Sequence, residues 1–326
     1  MNTMRPSETA GTATPDHPGS ARRGGRLFLF LVVLAIVAYF LGRSIISQWA
    51  TIRDYPWQFH AGWLVCSAVV IWVDFALLVH LWRVLLQAMS GKQLGFFTAF
   101  RISVIANFGK YIPGKVWSVL GMVVLLRQEG YSAPSALAAT MLHQAYTVVS
   151  GLIYVAVVMG SEIFGGKPMV PLVIGVAAGL LILYPPVFSA LLNFGLRLLK
   201  REQLTVTISF AMAAGLFVAY ILAWIIYGTG FWCMLLGFGI HPESFWRTGA
   251  VFSAAYLLGF LALFAPGGLG VREGTLSLLL GTTMAPGLAA LIAVASRLWM
   301  TVIEIVQSIP ALLTNRKKIG TNNTDS

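Results

Sequence analysis

The amino-acid sequence predicts an all-α, polytopic membrane protein with six to eight transmembrane helices. Of its 326 residues, 58% are hydrophobic and only 10% are charged, whereas soluble domains carry charge at about 25% of their positions. Several apolar runs approach the roughly 20 residues that a helix needs to cross the hydrocarbon core. The alternating hydrophobicity of a transmembrane β-barrel is missing, so helices are the expected spanning elements.

The two ends of the chain differ from its apolar middle. Residues 1–26 are rich in Pro, Gly, Ser and Thr and cannot bury a core, so we expect a disordered cytoplasmic tail. Residues 27–313 are expected to form a single integral membrane domain, and residues 314–326 a short basic and polar cytoplasmic tail. The first apolar run, 27–46, is too long for a typical signal sequence and is interpreted as an uncleaved helix.

Five further apolar runs are long enough to be full spans. They lie at residues 62–86, 135–160, 170–192, 208–238 and 288–313. Two other regions, 96–126 and 248–280, are broken near their middle by the strings KYIPGKVW and APGGLGVREG. A break at membrane depth is tolerated only where it is buried in protein or lines a wet cavity. The sequence therefore predicts two re-entrant-like hairpins, and the alternative is an ordinary loop between crossing helices.

The two halves of the domain, 27–163 and 164–313, show the same order of helix, helix, broken hairpin and helix. Aligning Pro113 with Pro266 places Gln144 on Arg297. Basic clusters near residues 22–26, 83–101, 197–201 and 316–318 place both chain termini in the cytoplasm, with the domain in the cell inner membrane. If neither hairpin crosses, each half makes three crossings and the halves form an inverted repeat. A total of eight spans is also an even number, so it would place both termini in the cytoplasm as well.

The net charge of +11 is explained first by membrane topology, and second by a polybasic surface on anionic lipid headgroups. No nucleic-acid partner is expected. Cys66 and Cys233 are the only cysteines, far apart in the sequence and inside apolar runs. This spacing fits packing residues, so we expect neither a disulfide framework nor a metal site, and no cofactor.

The broken segments carry ionisable residues, which are costly inside a membrane and therefore point to function. Exposed amides, the N-termini of half-helices starting near Val116 and Val271, and basic side chains all favour an anion. An anionic phospholipid or polyprenyl-phosphate headgroup fits this chemistry. The candidate headgroup-binding residues are Lys110, Pro113, Gly114, Lys115, Pro266, Gly267, Gly268, Gly270, Arg272 and Glu273.

Two further helices carry polar residues on one face and are predicted to line a polar cavity. Arg297 and Glu304 are seven residues apart on the last helix, and His143 and Gln144 lie on its counterpart in the first half. Glu273 and Glu304 are expected to hold arginines or to couple transport. The alternative is that such polar stripes only hold helices together, and a satisfied buried histidine is as good a reading of His143 as a proton relay.

The strings ANFGKYIPGKVWSVLG and APGGLGVREG, together with their separation, resemble the lysylphosphatidylglycerol synthase transmembrane family, also called the flippase-like domain family. The resemblance covers about residues 27–313. It implies a helical domain that moves lipids or lipid-linked sugars between leaflets. In bifunctional members a soluble aminoacyl-transferase domain follows the membrane region. The sequence shows no such domain, so we expect a stand-alone, transporter-like protein and not an enzyme.

Three functions are compared on these grounds. Translocation of an anionic lipid is the main hypothesis. The first alternative is a non-transporting scaffold for a lipid- or glycan-modifying enzyme, against which the buried ionisable groups argue. The second is an intramembrane glycosyl or acyl transferase, which should show paired acids at a membrane face, whereas Asp54 stands alone in its loop.

Overall fold

The computed structural model describes residues 39, 43, 46, 49–54, 58–111, 116–165, 170–198, 200, 203–204, 206, 208–262 and 265–313. Within this part of the chain every regular element is helical. The first half contains α1 (Trp49–Asp54), α2 (Ala61–Ser90), α3 (Phe96–Asn107), α4 (Val116–Gln128) and α5 (Ala133–Phe164). The second half contains α6 (Val170–Leu183), α7 (Pro185–Leu198), α8 (Phe210–Gly237), α9 (Phe245–Leu261), α10 (Val271–Leu280) and α11 (Pro286–Leu313).

Four helices, α2, α5, α8 and α11, are long and apolar enough to cross a membrane. They coincide with four of the spans expected from the sequence, and the all-helical, polytopic class is thereby confirmed. Of the expected first span, 27–46, the structure describes residues 39, 43 and 46, which are helical. The two expected tails, 1–26 and 314–326, lie outside the described residues.

The expected span 170–192 is not one straight helix but is bent. Helices α6 and α7 meet at an angle of 75° around Tyr184. Pro185 and Pro186 follow at once. Proline lacks the N–H that a continuous helix needs, and it disfavours helical geometry in the residue before it. The pair of prolines therefore explains a break that the hydropathy pattern alone does not reveal.

Helices α2 and α8, the second helices of the two expected halves, pack against each other in opposite directions. The His60 N–H at the start of α2 donates to the Gly237 carbonyl at the end of α8 over 2.8 Å. Farther along, the Ser67 hydroxyl donates to the Gly230 carbonyl over 2.7 Å. Residue numbers thus rise along α2 as they fall along α8, which is the relation that an inverted repeat requires.

Each hairpin contacts the last helices of both halves. Helix α3 packs on α11, and its counterpart α9 packs on α5. Helix α4 packs on α5 as α10 packs on α11. The first helix of each broken hairpin therefore packs on the last helix of the other half, and the second helix packs on the last helix of its own half.

Both broken regions leave the bundle on the side from which they enter. At the first hairpin, Lys92 Nζ donates to the Gly130 carbonyl over 3.2 Å, so the residues before α3 lie beside those after α4. At the second, Arg247 Nη2 at the start of α9 donates to Thr282 Oγ1 beyond α10 over 2.7 Å. With 10 residues, α10 is about 15 Å long, about half of the hydrocarbon core.

The two hairpins open on opposite sides of the bundle. The first follows the end of α2 at Ser90. The second follows the end of α8, which lies beside the start of α2 at His60. The hairpin openings are therefore separated by the length of α2, and the two tips approach each other from opposite directions.

Candidate functional site

The two hairpin tips meet through short 3-10 turns, Phe108–Tyr111 in the first hairpin and Pro266–Gly268 in the second. Gly267 has a φ of +58°, a conformation that favours glycine. A Cβ placed on Gly267 would lie 3.0 Å from the Tyr111 ring and 3.1 Å from Arg297 Nη2. The absence of a side chain at Gly267 therefore allows the tips to touch.

An ion pair ties the first tip to the last helix. Lys110 Nζ lies 2.6 Å from Glu304 Oε1, and the Tyr111 hydroxyl donates to Glu304 Oε2 over 2.9 Å. Both oxygens of Glu304 are thus used by neighbouring residues of the first hairpin. Glu304 was expected to hold an arginine, and in the structure it pairs with Lys110.

A second ion pair joins the second hairpin to the same helix. Arg297 Nε lies 3.6 Å from Glu273 Oε1, and the guanidinium also faces the Tyr111 ring at 5.8 Å. The other oxygen of Glu273 accepts the Gly270 N–H over 2.6 Å at the start of α10. Within the described part of the chain, Arg297 Nε and Nη2 and Glu273 Oε1 are buried without hydrogen-bond partners. The pair is therefore held by charge alone.

Arg272 points away from this pair into an aromatic environment. Its side chain is buried, and Nη2 donates to the Tyr227 hydroxyl over 2.7 Å. The guanidinium carbon lies 4.9 Å from the centre of the Phe252 ring and 5.5 Å from that of Tyr256. Cation–π contacts of this kind stabilise a desolvated arginine by about 2 kcal/mol. Helices α8 and α9 therefore fix Arg272 in place.

The amides expected to attract an anion differ in how far the structure describes them. Helix α10 starts at Val271, as predicted, and Glu273 already occupies the Gly270 N–H there. Gly268 packs against Gly259: a Cβ on Gly268 would lie 2.9 Å from the Gly259 carbonyl oxygen. The described part of helix α4 starts at Val116. Pro113, Gly114 and Lys115 fall in the segment 112–115, outside the described residues.

The predicted cavity lining divides into two groups. Arg297 and Glu304 share one face of α11 and both reach the hairpin tips. His143 on α5 instead lies 2.6 Å from the Tyr220 hydroxyl of α8, measured from Nδ1. Gln144 beside it is half-buried. The described contacts of His143 therefore lead to α8 and not to the ion pairs of α11.

Several residues near the tips were missed by the sequence analysis. Tyr111, which contacts Glu304, Arg297 and Gly267, lies within the KYIPGKVW string and could have been found there. Tyr227 lies in the apolar run 208–238, outside both broken strings, so no sequence pattern singles it out. Gln307, one turn beyond Glu304, is buried, and its Nε2 lacks a hydrogen-bond partner in the described part of the chain. Asp74 is also buried, and its Oδ1 has no hydrogen-bond partner among the described residues.

A small cavity of about 10 Å³ lies beside Glu304. Its wall is formed by Phe75, Val104, Asn107, Phe108, Tyr111, Glu304 and Gln307. This volume matches a single water molecule. In the described ranges no group of three or more His, Cys, Asp or Glu side chains is placed to hold a metal ion. The groups that the described part of the site brings together are the two ion pairs, Lys110 with Glu304 and Arg297 with Glu273.

The chain was compared with known protein families. Residues 26–306 match the family described as the lysylphosphatidylglycerol synthase TM region. The match covers both broken hairpins and most of the last helix, and it confirms the resemblance predicted from the two Gly- and Pro-rich strings. No curated protein matches the chain.

Proposed function

The chain belongs to the lysylphosphatidylglycerol synthase TM family, and we propose that it is a translocase that moves an anionic lipid between the leaflets of a membrane. Membership suggests a lipid-related function for this multi-pass protein, and the further step to translocation is our proposal. The headgroup would pass along the hairpin tips while the acyl or prenyl chains stay in the lipid.

The observation that carries this proposal is the meeting of two hairpins from opposite sides at buried charges. A headgroup that enters along one hairpin from one face of the membrane would reach the tip of the other hairpin, which enters from the opposite face. Lys110 and Glu304, and Arg297 and Glu273, lie at this meeting point. Ionisable groups cost a few kcal/mol each in a membrane, a cost that a non-transporting scaffold need not carry.

Cationic side chains give the site its selectivity for an anion. Lys110, Arg272 and Arg297 lie on or beside the tips, and Lys115 belongs to the first broken segment. Arginine binds phosphate through paired hydrogen bonds, whereas lysine acts as a point charge. A phospholipid or a polyprenyl-phosphate-linked lipid carries the phosphate group that these residues prefer. We therefore assign headgroup binding to the two broken segments and transport, not catalysis, to the chain.

The proposed setting is the inner membrane of the cell, with both termini in the cytoplasm. The basic residues Arg83, Lys92 and Arg101 lie near the opening of the first hairpin, which the positive-inside rule assigns to the cytoplasmic side. Anionic lipids are attracted to such a surface. Membrane lipids are thus the proposed partners, supplied or consumed by a lipid- or glycan-modifying enzyme.

The test is leaflet exchange in vesicles that contain the purified protein. Fluorescent phosphatidylglycerol and polyprenyl-phosphate analogues are placed in both leaflets, and a reducing agent that cannot enter the vesicle bleaches the outer one. Protein-dependent exchange is expected, and Arg272→Ala is expected to abolish it while the protein remains folded. No exchange of any anionic lipid would favour the scaffold function.

A matched control is Arg83→Ala. Like Arg272, Arg83 donates a hydrogen bond and faces an aromatic ring: its Nε donates to the Leu94 carbonyl over 2.8 Å, and its guanidinium carbon lies 5.7 Å from the centre of the Phe96 ring. It lies at the hairpin opening and not at the tips, so its loss should leave exchange unchanged. Normal exchange by Arg272→Ala would contradict the assignment of Arg272 to the site.

A further inference from the structure

We infer that Glu273 is an internal stand-in for the lipid headgroup: its carboxylate occupies the phosphate position between the start of α10 and Arg297, and the headgroup binds by displacing it. This inference rests on the proposed function and concerns how its site is regulated. The site would be closed by the protein's own anion when no lipid is bound.

The position of the Glu273 carboxylate is that of a bound phosphate. Its Oε2 accepts the Gly270 N–H over 2.6 Å at the N-terminus of α10, and its Oε1 faces Arg297 Nε at 3.6 Å. A helix N-terminus combined with an arginine is a common phosphate-binding arrangement, because the helix dipole and the guanidinium both attract negative charge. In this structure a protein side chain fills both contacts.

Glu273 fills the position incompletely. Arg297 is 4% exposed, yet its Nε and Nη2 have no hydrogen-bond partner among the residues that the structure describes. Buried charged donors left without acceptors are strongly unfavourable. The carboxylate balances the charge of Arg297 but is too far away to accept its protons. A phosphate group, with more oxygens in a tetrahedral arrangement, has acceptors for both nitrogens.

The exchange requires the carboxylate to move. Gly267 lies against Arg297 Nη2, where a Cβ would come within 3.1 Å, so tip backbone and not a side chain covers that nitrogen. The Glu273 side chain is 16% exposed, against 5% for Arg297, so the carboxylate is the partner that can swing outward. Two anions in one position repel each other, so headgroup and carboxylate bind alternately.

The experiment is a binding titration of the purified full-length chain in a neutral detergent. The probe is short-chain phosphatidylglycerol, with phosphatidylcholine as the lipid without net charge. Glu273→Gln removes the competing charge while keeping the shape of the side chain. We expect it to bind phosphatidylglycerol about tenfold more tightly than the original chain, which is 1.4 kcal/mol of binding free energy, with no change for phosphatidylcholine.

Glu162→Gln is the control for charge. It makes the same change of net charge at an exposed ion pair, with Arg247 Nε 2.9 Å from Glu162 Oε2, and should leave binding unchanged. Adding Arg297→Gln to Glu273→Gln should remove the gain, because the gain requires the guanidinium. Equal or weaker binding by Glu273→Gln overturns the inference. If that variant does not fold, Glu273→Asp replaces it, and its shorter carboxylate should give a smaller gain; no gain overturns the inference.

Two further measurements separate binding of a free anion from binding of a lipid headgroup, and this inference from the proposed translocation. A titration with inorganic phosphate distinguishes a free anion from a lipid headgroup, and a gain with inorganic phosphate alone would overturn the lipid identity of the displaced group. Leaflet exchange is measured on the same samples. Exchange without tighter binding by Glu273→Gln overturns this inference alone, whereas tighter binding without any exchange overturns translocation and leaves the stand-in intact.

Discussion

Lys110 Nζ and Glu304 Oε1 lie 2.6 Å apart although 194 residues separate them in the sequence. This ion pair joins the tip of the first hairpin to the last helix of the other half. The Tyr111 hydroxyl adds a second bond to the same carboxylate. Any movement that separates the hairpin from α11 must therefore break both contacts.

We expect Lys110→Ala and Glu304→Ala each to destabilise the protein by up to about 3 kcal/mol, because each leaves a partly buried charge without its partner. The charge exchange Lys110→Glu with Glu304→Lys should recover part of that loss. The measurement is the thermal unfolding midpoint in detergent of the original chain, the two single variants and the double variant. Equal stability of the single variants and the original chain would show that the contact does not hold the tips together.

Gly267→Ala is expected to impair transport. The added Cβ would lie 3.0 Å from the Tyr111 ring and 3.1 Å from Arg297 Nη2. The alanine would also have to adopt the left-handed backbone conformation of Gly267, which costs about 1–2 kcal/mol. Gly274→Ala is the matched control in the same hairpin, since no atom lies within 4 Å of a Cβ there. Leaflet exchange that falls equally in both variants would contradict a specific role for Gly267.

Helices α8 and α9 depend on another close approach between glycines. A Cβ on Gly228 would lie 2.7 Å from the Gly249 Cα, and small residues at such contacts let helices associate in lipid. We expect Gly228→Ala to lower the free energy of unfolding by about 1–3 kcal/mol through overpacking. Gly215→Ala, on the same helix with open space around it, should be neutral or stabilising. A thermal unfolding midpoint for Gly228→Ala at or above that of the original chain would refute the tight packing.

The parts of the fold that local chemistry determines could be predicted from the sequence. Half-helix starts were predicted near Val116 and Val271, beside the two broken strings; α10 begins at Val271, and the described part of α4 begins at Val116. The shared face of Arg297 and Glu304 follows from helical spacing. The bend at Tyr184 was missed because hydropathy outweighed the Pro185–Pro186 signal.

The partners of the buried charges could not be predicted in the same way. Glu304 pairs with Lys110 and Arg272 bonds to Tyr227 because distant helices pack together, and spacing along one helix carries no information on that. Similarly, Cys66 and Cys233 lie far apart in the sequence, yet their Sγ atoms are 3.7 Å apart as free thiols. The antiparallel packing of α2 and α8 brings them together.

The re-entrant path of both hairpins predicts which residues share a side of the membrane. In a chain without Cys66 and Cys233, single cysteines are placed at four exposed positions: Gln93, Gln128, Glu243 and Thr282. Gln93 and Gln128 flank the first hairpin, whose ends are joined by Lys92 and Gly130, so both should react with an impermeant maleimide from one side.

Glu243 and Thr282 flank the second hairpin, whose ends are joined by Arg247, and should react from the opposite side only. Inside-out vesicles and intact cells provide the two directions of labelling. Reaction of Gln93→Cys and Gln128→Cys from different sides would mean that the first hairpin crosses the membrane. The tips would then no longer approach from opposite faces, and the alternating access on which translocation depends would lose its structural basis.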